Sequence, residues 1–317
     1  MQYCELILPA DASREDWMHA RMKGIGGSDA GSILGLNHWK SSVTLWAEKT
    51  KRIQPDDISG SMAVEAGTRL EPVVAQWFAD ETGKKVQRRG TLRSISHPFM
   101  LANVDRWIPK EKVGLEIKTT NAFSAKEWDG DEIPSSYYAQ CLHYMAVTGA
   151  PYWYIAVLIG GQDFRWKTIP RNEEDIKLLM DEEAEFWKHV QDGTMPDHID
   201  GSDSTTHTLS RLYSGSDEKI LDITEVASDI LDKYDELTEQ KKKIDASIQE
   251  CKNGIMALMG ESETGTISGR KVTWKRGNPR ETVSLSEIKK KSPDTYAALK
   301  EKGFVKVSAA SRIFRIW

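Results

Sequence analysis

The chain has 317 residues, of which 39% are hydrophobic, and its 43 basic and 48 acidic side chains give a net charge of −5. This length allows two domains, or one domain with a long extension, and it buries a sizeable core without cross-links. No apolar run approaches the ~20 residues that cross a bilayer, and the acidic N-terminus does not fit a signal peptide. Three widely spaced cysteines argue against a disulfide framework and a zinc knuckle. We therefore expect a cytoplasmic protein without a membrane segment.

The acidic balance is unevenly distributed. Residues 263–317 carry 13 Lys or Arg against 5 Asp or Glu, which gives +8, so the remaining residues sum to −13. A second basic cluster consists of Lys84, Lys85, Arg88, Arg89 and Arg93. Most charge runs are solvated faces, but two basic clusters on an acidic chain are compatible with a nucleic-acid partner.

Helix-like and strand-like segments alternate through the first two hundred residues. In chain order we expect helices over 13–82 with a Gly- and Ser-rich turn at 24–32, three strands over 86–119, a helix at 135–149, a β-hairpin over 152–169 and an acidic helix from residue 173. This order predicts an α/β or α+β core.

A second region follows a change in composition. Residues 200–220, in which Gly, Ser, Asp and Thr are frequent, predict a linker between a core of residues 1–199 and an extension of residues 221–317. Heptad spacing of apolar residues from Ile223 to Leu258 predicts a long helix or helical hairpin, which packs on its own domain or contacts another chain. Asp222 and Glu225 fit a capping box. The tail should form a strand at 266–274, a helix at 284–302 and a strand at 305–316.

The chemistry is concentrated between Leu101 and Lys118. If Pro109–Lys112 forms a four-residue hairpin loop, Asp105 lies opposite Glu116 with the two Cβ atoms about 5 Å apart. Strand alternation puts Glu116 and Lys118 on one face. Like charges at this separation repel each other and destabilise a sheet. A bound Mg²⁺ would remove this repulsion. The lysine would then be placed to orient or deprotonate a water. A surface ladder of salt bridges is the alternative interpretation of this motif.

Further residues extend the motif. Glu71 lies in a helix-like segment and could complete a carboxylate cluster, while Gln140 and Tyr144 share one helix face. Taken alone, each fits a structural role better. Competing motifs are incomplete: the segment 24–29 lacks the third glycine of a dinucleotide fingerprint, 26–30 lacks the last glycine of a nucleophile elbow, and no H-x-x-x-H pair occurs.

Five segments resemble the phage lambda exonuclease and YqaJ-type viral recombinase group of the PD-(D/E)xK nuclease superfamily. They are RMKGIGGSD at 21–29, GTRLE at 67–71, NVD at 103–105, LEIK at 115–118 and AQxxxY at 139–144, within about residues 13–195. The resemblance implies a restriction-endonuclease-like α/β core, in which helices flank a central mixed sheet; here a C-terminal helical and β extension follows. It implies metal-dependent 5′-to-3′ digestion of linear double-stranded DNA, which leaves 3′ tails for a single-strand annealing protein. A homo-oligomeric, trimeric ring encoded by a phage or prophage and active in the bacterial cytoplasm is also implied.

The resemblance assigns roles residue by residue. Asp105 and Glu116 would hold Mg²⁺, for which Mn²⁺ would substitute, with the Ile117 carbonyl as a further ligand, and Glu71 would serve a second metal or its water shell. Lys118 would activate the hydrolytic water, and Gln140 would support the site.

The resemblance also points to DNA contacts. Arg21 and Ser28 correspond to a pocket for the 5′ phosphate, and Asn103 to a DNA-contacting position. The chain departs from the family pattern around Asp105, because Asn103-Val104 replaces a small or hydroxyl residue followed by proline, and Arg106 stands where glycine is frequent.

Two other functions remain open at this stage: a structure- or site-specific endonuclease of the same superfamily, and a non-catalytic DNA-binding protein. Trp39, Trp46 and Trp107 are candidates either for stacking on an unpaired DNA end or for packing in the core.

Overall fold

The fold is given by a computed structural model, which describes residues 3–58, 60–217, 219–307 and 312–316. The chain divides into two compact units. The first unit comprises Met1–Ser214 with Arg312–Trp317, and the second unit comprises Gly215–Ser311. None of the described helices is both long enough and apolar enough to cross a membrane.

The first unit mixes helices and strands along the chain. Its N-terminal half contains β1 (Cys4–Leu6), α1 (Arg14–Arg21), β2 (Ile25–Gly26), α2 (Gly27–Ile33), α3 (Ser42–Lys49), α4 (Met62–Thr82), β3 (Leu92–Ser94), β4 (Met100–Ala102) and β5 (Arg106–Ile108). It continues with β6 (Val113–Thr120), a 3₁₀ helix (Ala122–Trp128), α5 (Ser135–Thr148), β7 (Tyr152–Ile159), β8 (Asp163–Pro170), α6 (Glu173–Asp192) and α7 (Asp203–Leu212).

Two four-stranded sheets organise this unit. One has the order β1-β3-β4-β2, and the other has the order β5-β6-β7-β8. In the second sheet β6 and β7 are parallel, whereas β5 pairs with β6 and β7 with β8 in antiparallel fashion. The sheets are therefore mixed and flanked by helices, and the predicted α/β fold class is confirmed.

Helices cover both faces of the β5–β8 sheet. Phe78 of α4 packs against Tyr154 and Trp166 on one face. On the other face Tyr144 of α5 lies over Trp153, with ring centroids 5.3 Å apart. Gly114 makes this packing possible, because a Cβ there would lie 2.0 Å from a Trp153 ring carbon.

A fully buried ion pair joins α5 to α6. His143 Nδ1 lies 2.7 Å from Glu183 Oε1, and His143 Nε2 lies 2.9 Å from the carbonyl oxygen of Leu101 in β4. Both side chains have no exposed surface. Since a carboxylate and a carbonyl only accept hydrogen bonds, both ring nitrogens donate and the ring carries a positive charge.

Several predicted elements are confirmed and others need correction. The helix after Pro134 and the hairpin around Gly160 occur as predicted. The predicted turn at 24–32 is wrong over most of its length, because α2 begins at Gly27, where Asp29 Oδ2 accepts the Gly26 amide hydrogen at 3.0 Å. Residues 86–119 contain four strands rather than three.

The segment predicted as a linker is partly helical. Within 200–220, α7 packs on α3 through hydroxyl groups, with Thr44 Oγ1 2.8 Å from Ser204 Oγ and 2.7 Å from Thr208 Oγ1. A composition rich in Ser and Thr therefore reflects a polar helix contact here rather than an open linker.

The second unit contains a long helix and small elements. These are α8 (Thr224–Met259), a hairpin of β9 (Thr264–Ile267) and β10 (Arg270–Thr273), α9 (Leu285–Lys291) and α10 (Pro293–Glu301). The heptad-patterned segment is one helix, not a helical hairpin.

The other predictions for this unit need correction. Asp222 accepts from Thr224 and does not form the predicted box with Glu225. The strand predicted at 266–274 is a hairpin, and the helix predicted at 284–302 breaks at Ser292, before Pro293. The strand predicted at 305–316 is not formed by its described residues, and 308–311 lie outside them.

Candidate active site

The hairpin that carries the acidic pair has the predicted register. Ile108 pairs with Val113 and Arg106 with Leu115, so Asp105 and Glu116 follow as the next opposed positions. Asp105 Oδ2 accepts the Ile117 amide hydrogen at 2.7 Å, which fixes one side of that carboxylate across the strands. The four-residue loop therefore brings the two carboxylates together, as predicted.

A network of side chains from β6 and α5 surrounds Glu116. Lys118 Nζ lies 2.6 Å from Glu116 Oε1 and donates to Gln140 Oε1 at 2.9 Å. Gln140 Nε2 donates to the same Glu116 Oε1 at 2.7 Å and to the Tyr144 hydroxyl at 3.0 Å. The Gln140 amide is thus oriented by its neighbours, and it holds the lysine and the glutamate at one point.

The other oxygen of Glu116 has no hydrogen-bond partner. Oε2 is one of two buried side-chain polar atoms without a partner among the described residues, and Glu116 is only 2% exposed. Leaving a buried charged acceptor unpaired is costly, so native structures rarely retain one without a ligand. A cation beside Oε2 would remove this cost.

The charges of Asp105, Glu116 and Lys118 also favour a bound cation. Burial and the neighbouring Glu116 carboxylate raise the pKa of Asp105 well above its ordinary value, against the opposing effect of Lys118. Burial alone would lower the pKa of Lys118, but attraction to Glu116 and Asp105 outweighs it and the pKa rises. Lys118 is therefore an ammonium group, and one ammonium does not offset two carboxylates. Oxygen ligands in this arrangement fit a hard divalent cation such as Mg²⁺.

Glu71 reaches the same region from α4 but has another partner. Arg106 Nη1 lies 2.5 Å from Glu71 Oε1 and 2.6 Å from the Asp105 carbonyl oxygen. Arg106 is only 8% exposed, so this contact is sheltered. The structure thus brings Glu71 close to Asp105, with a guanidinium bound to its carboxylate.

Arg21 and Ser28 form a second polar group. Arg21 Nη2 lies 2.6 Å from Ser28 Oγ and 3.3 Å from Asp29 Oδ1. Asp29 also pairs with buried Lys49, whose Nζ is 2.8 Å from Asp29 Oδ2. Burial works against ionisation of Asp29, but Lys49 and Arg21 outweigh it and lower its pKa. Two cations around one anion leave a net positive charge beside Ser28.

Asn103 serves mainly as an acceptor inside the fold. Its Oδ1 accepts from Trp17 Nε1 at 3.0 Å and from Thr91 Oγ1 at 2.7 Å, and its carbonyl accepts from the Tyr144 hydroxyl at 2.9 Å. The residue therefore ties α1 and α5 to the segment between β4 and β5 that carries Asp105.

A cleft with two arms passes over these groups. The arginine arm, of about 620 Å³, is lined by Glu71 and Asp105 together with Arg14, Arg21, Arg88, Arg89 and Arg106. The aromatic arm, of about 730 Å³, is lined by Lys118 together with His38, Trp39, Trp128 and Tyr137. Both arms share Ser28 and Gln140. One arm thus reaches Asp105 and the other reaches Lys118, on either side of buried Glu116.

The structure makes only some of the basic and aromatic candidates for DNA contact available at the cleft or the surface. Arg88 and Arg89 line the cleft, whereas Lys84 pairs with Glu111 and Arg93 with Glu5. Of the three tryptophans considered for stacking, Trp46 and Trp107 are buried, so only Trp39, which is 92% exposed, is available.

Sequence reasoning missed Arg14 and Arg106, which line the cleft, and Lys49, which pairs with Asp29. None of the three has a distinguishing motif, and the contacts of Arg106 with Glu71 and of Lys49 with Asp29 join separate segments of the chain. The replacement of a frequent glycine by Arg106 was visible in the sequence, but its partner Glu71 was not.

Comparison with known proteins places the chain in a family. The profile of the YqaJ-like viral recombinase domain matches residues 16–151. The Uncharacterized protein YqaJ of Bacillus subtilis (strain 168) is 38% identical over 296 residues, which is 92% of each chain. An alkaline exonuclease (LHK-Exo) from Laribacter hongkongensis, also solved in complex with dAMP, aligns with a TM-score of 0.50 and 20% identity over 56% of this chain and 93% of its own. This likeness shows a shared fold. The chain belongs to the family of YqaJ-like viral recombinases.

Proposed function

We propose that this protein is a metal-dependent exonuclease that degrades linear double-stranded DNA from its 5′ ends. The observation that carries this proposal is the group of Asp105, Glu116 and Lys118, in which Glu116 Oε2 is buried without a partner and Asp105 lines a cleft with five arginines. Buried carboxylates with a nearby lysine suit metal-assisted hydrolysis of a phosphodiester. The exonuclease fold of the structural neighbour, and its complex with dAMP, support the choice of substrate.

Each residue at the site has a defined task in this proposal. Asp105, Glu116 and the Ile117 carbonyl would hold Mg²⁺ or Mn²⁺, and the cation would supply electrostatic stabilisation of charge on the phosphoryl oxygens. Lys118, held by Gln140, would orient the attacking water, and the positive charge of its ammonium group would favour loss of a proton from that water. Glu71 would serve a second cation or its waters, for which it must exchange its contact with Arg106.

The arginine arm would bind the DNA end. Arg21 and Ser28 offer a guanidinium and a hydroxyl 2.6 Å apart, an arrangement that suits a terminal phosphate. Asn103 lines the same arm and would contact the DNA, and Arg14, Arg88 and Arg89 would contact backbone phosphates without reading sequence. Capture of a 5′ phosphate beside the carboxylates would set the 5′-to-3′ direction.

The products and partners follow from this polarity. Digestion of one strand leaves a 3′ single-stranded tail, the substrate of a single-strand annealing protein, so such a protein is the expected partner in phage recombination. A trimeric ring around the duplex, in the cytoplasm of a bacterial host, would keep the enzyme on its substrate between cuts.

A polarity assay tests the activity. Linear duplexes labelled at the 5′ or the 3′ end are incubated with and without Mg²⁺, beside a closed circular duplex. We expect release of labelled nucleotides from the 5′ end first, only with Mg²⁺, and no cutting of the circle. Nicking of the circle would favour an endonuclease instead.

Two matched pairs of variants test the residues. Lys118→Ala should lower the rate by about 10²–10⁴-fold while DNA binding is retained, whereas Lys85→Ala, at an exposed site, should behave as the native enzyme. Arg21→Ala should abolish the preference for phosphorylated over hydroxyl 5′ ends, whereas Arg14→Ala should retain it. Equal rates of the native enzyme on both kinds of end would refute the phosphate pocket.

A further inference from the structure

Helix α8 leaves its apolar side chains uncovered by the other described elements of the second unit. None of its residues is buried, and Ile230, Leu237, Ile244 and Ile248 are between 46% and 70% exposed. Helices in proteins are stabilised mainly by packing of an apolar face, so a 36-residue helix with this much apolar surface in water needs a partner.

The spacing of these residues defines the kind of partner. From Ile230 to Leu258, steps of four and three residues alternate without interruption over four heptads, and Lys241 is the one charged member of this row. Such a 3.5-residue repeat is that of a coiled coil. The partner is therefore another helix with the same repeat, and a single lysine in the row helps to select its register.

The charge along α8 selects the partner and its direction. Thr224–Gln240 carries six acidic residues and one lysine, a net charge of −5, whereas Lys241–Met259 carries four lysines and two acidic residues, a net charge of +2. A parallel pair would align the two acidic halves and the two basic halves. An antiparallel pair aligns the acidic half of each helix with the basic half of the other, and opposite charges within a Debye length attract.

We propose that α8 pairs with α8 of a second copy of this chain as an antiparallel coiled coil. In the favoured register Leu237 of one helix layers against Lys241 of the other, and Ile230 layers against Ile248. A register displaced by one heptad toward the C-terminus would set the run Lys241–Lys243 against its own copy. The favoured register instead brings this run alongside Asp235 and Glu236, so charge as well as spacing selects it.

The residues of this surface are different from those that line the proposed DNA cleft. The acidic half of α8 repels phosphates, so the helix does not serve as a DNA groove. The pairing depends neither on the nuclease activity nor on the ring proposed above, and a failure of either leaves this inference intact.

Disulfide trapping in the full-length protein tests the pairing directly. In this register Cys251 lies opposite Ala227 of the second copy, and Ala227 precedes Ile230 by three residues in the same row. Ala227→Cys therefore places two thiols together, twice in each pair, whereas the native Cys251 is not opposite itself. After mild oxidation at low concentration, we expect the Ala227→Cys chain to run mainly at twice its mass on a denaturing gel without reductant. The native chain should stay at its own mass.

The controls separate pairing from random collision. Ser228→Cys, one residue away and outside the row, should not cross-link, and addition of either Cys251→Ser or Ile248→Asp to Ala227→Cys should abolish the dimer. Cross-linking of the native chain through Cys251 would indicate a parallel pair and overturn the proposal. Equal cross-linking of the Ala227→Cys and Ser228→Cys chains, or none in either, would overturn it as well, because α8 would then be covered by something other than a second copy.

Discussion

Replacement of Glu183 by glutamine should destabilise the first unit in a pH-dependent way. The buried pair of Glu183 with His143 ties α6 to α5, and the Leu101 carbonyl extends the contact to β4. Removing one partner of a buried ion pair leaves an uncompensated charge, at a cost of about 3–5 kcal/mol. For a cooperative unit of roughly 200 residues this corresponds to a decrease in Tm of about 6–20 °C.

The sign of the pH dependence follows from the shifted pKa. Burial works to lower the pKa of His143, but the charge and hydrogen bond of Glu183, the Leu101 carbonyl and the Asp29 charge outweigh it and raise the pKa. A raised pKa contributes stability that is complete below the unfolded-state value of about 6.5 and is lost as pH rises through the folded-state value. In Glu183→Gln the ring has no counter-ion, so burial favours its neutral form. The difference in free energy of unfolding should therefore be largest near pH 6 and smaller near pH 9.

Urea denaturation between pH 6 and pH 9 measures this difference. The exposed neighbour Glu182 provides a matched control on the same helix, and Glu182→Gln should change the free energy of unfolding little at any pH. Equal stability of Glu183→Gln and the native protein at pH 6 would refute the charged pair, as would a difference that grows with pH.

Three further substitutions probe the cleft and the sheet. Trp39→Ala should weaken binding to duplexes with unpaired ends by about 1–3 kcal/mol, or about 5- to 150-fold, without loss of thermal stability; unchanged affinity in fluorescence anisotropy would exclude stacking. Arg106→Ala should release Glu71 and strengthen binding of Mg²⁺ in calorimetry, and an unaltered isotherm would show that Glu71 takes no part. Gly114→Ala would set a Cβ 2.0 Å from a Trp153 ring carbon, so we expect a loss of about 1–3 kcal/mol in denaturation, and native stability would contradict this packing.

The sequence was most informative where local rules decide the structure. The opposition of Asp105 and Glu116 follows from a four-residue loop and a two-residue repeat, and both are read from neighbouring residues. The helix after Pro134 and the hairpin around Gly160 are likewise set by turn-forming residues. These features account for the pair of carboxylates, their lysine and the sheet that holds them.

Contacts between distant segments were beyond local rules. The Gly- and Ser-rich segment at 24–32 folds as a helix because Asp29 accepts the Gly26 amide and is itself neutralised by Lys49, twenty residues further on. The pairing of Arg106 with Glu71 joins positions 35 residues apart. Neither pattern has a signature that distinguishes it from ordinary surface charge.

The contacts of Arg21 have a consequence for the affinity of the cleft. An arginine side chain that is free in solution loses about 1.5–2 kcal/mol of conformational entropy when it is fixed on a ligand. Ser28 and Asp29 already orient this guanidinium, so most of that loss occurs during folding rather than on binding. Because Lys49 balances the charge of Asp29, the orientation is gained without neutralising the arginine. If the proposed phosphate pocket is correct, an incoming phosphate would meet a cation that is both charged and immobilised, which would favour fast capture of a DNA end over slow adjustment around it.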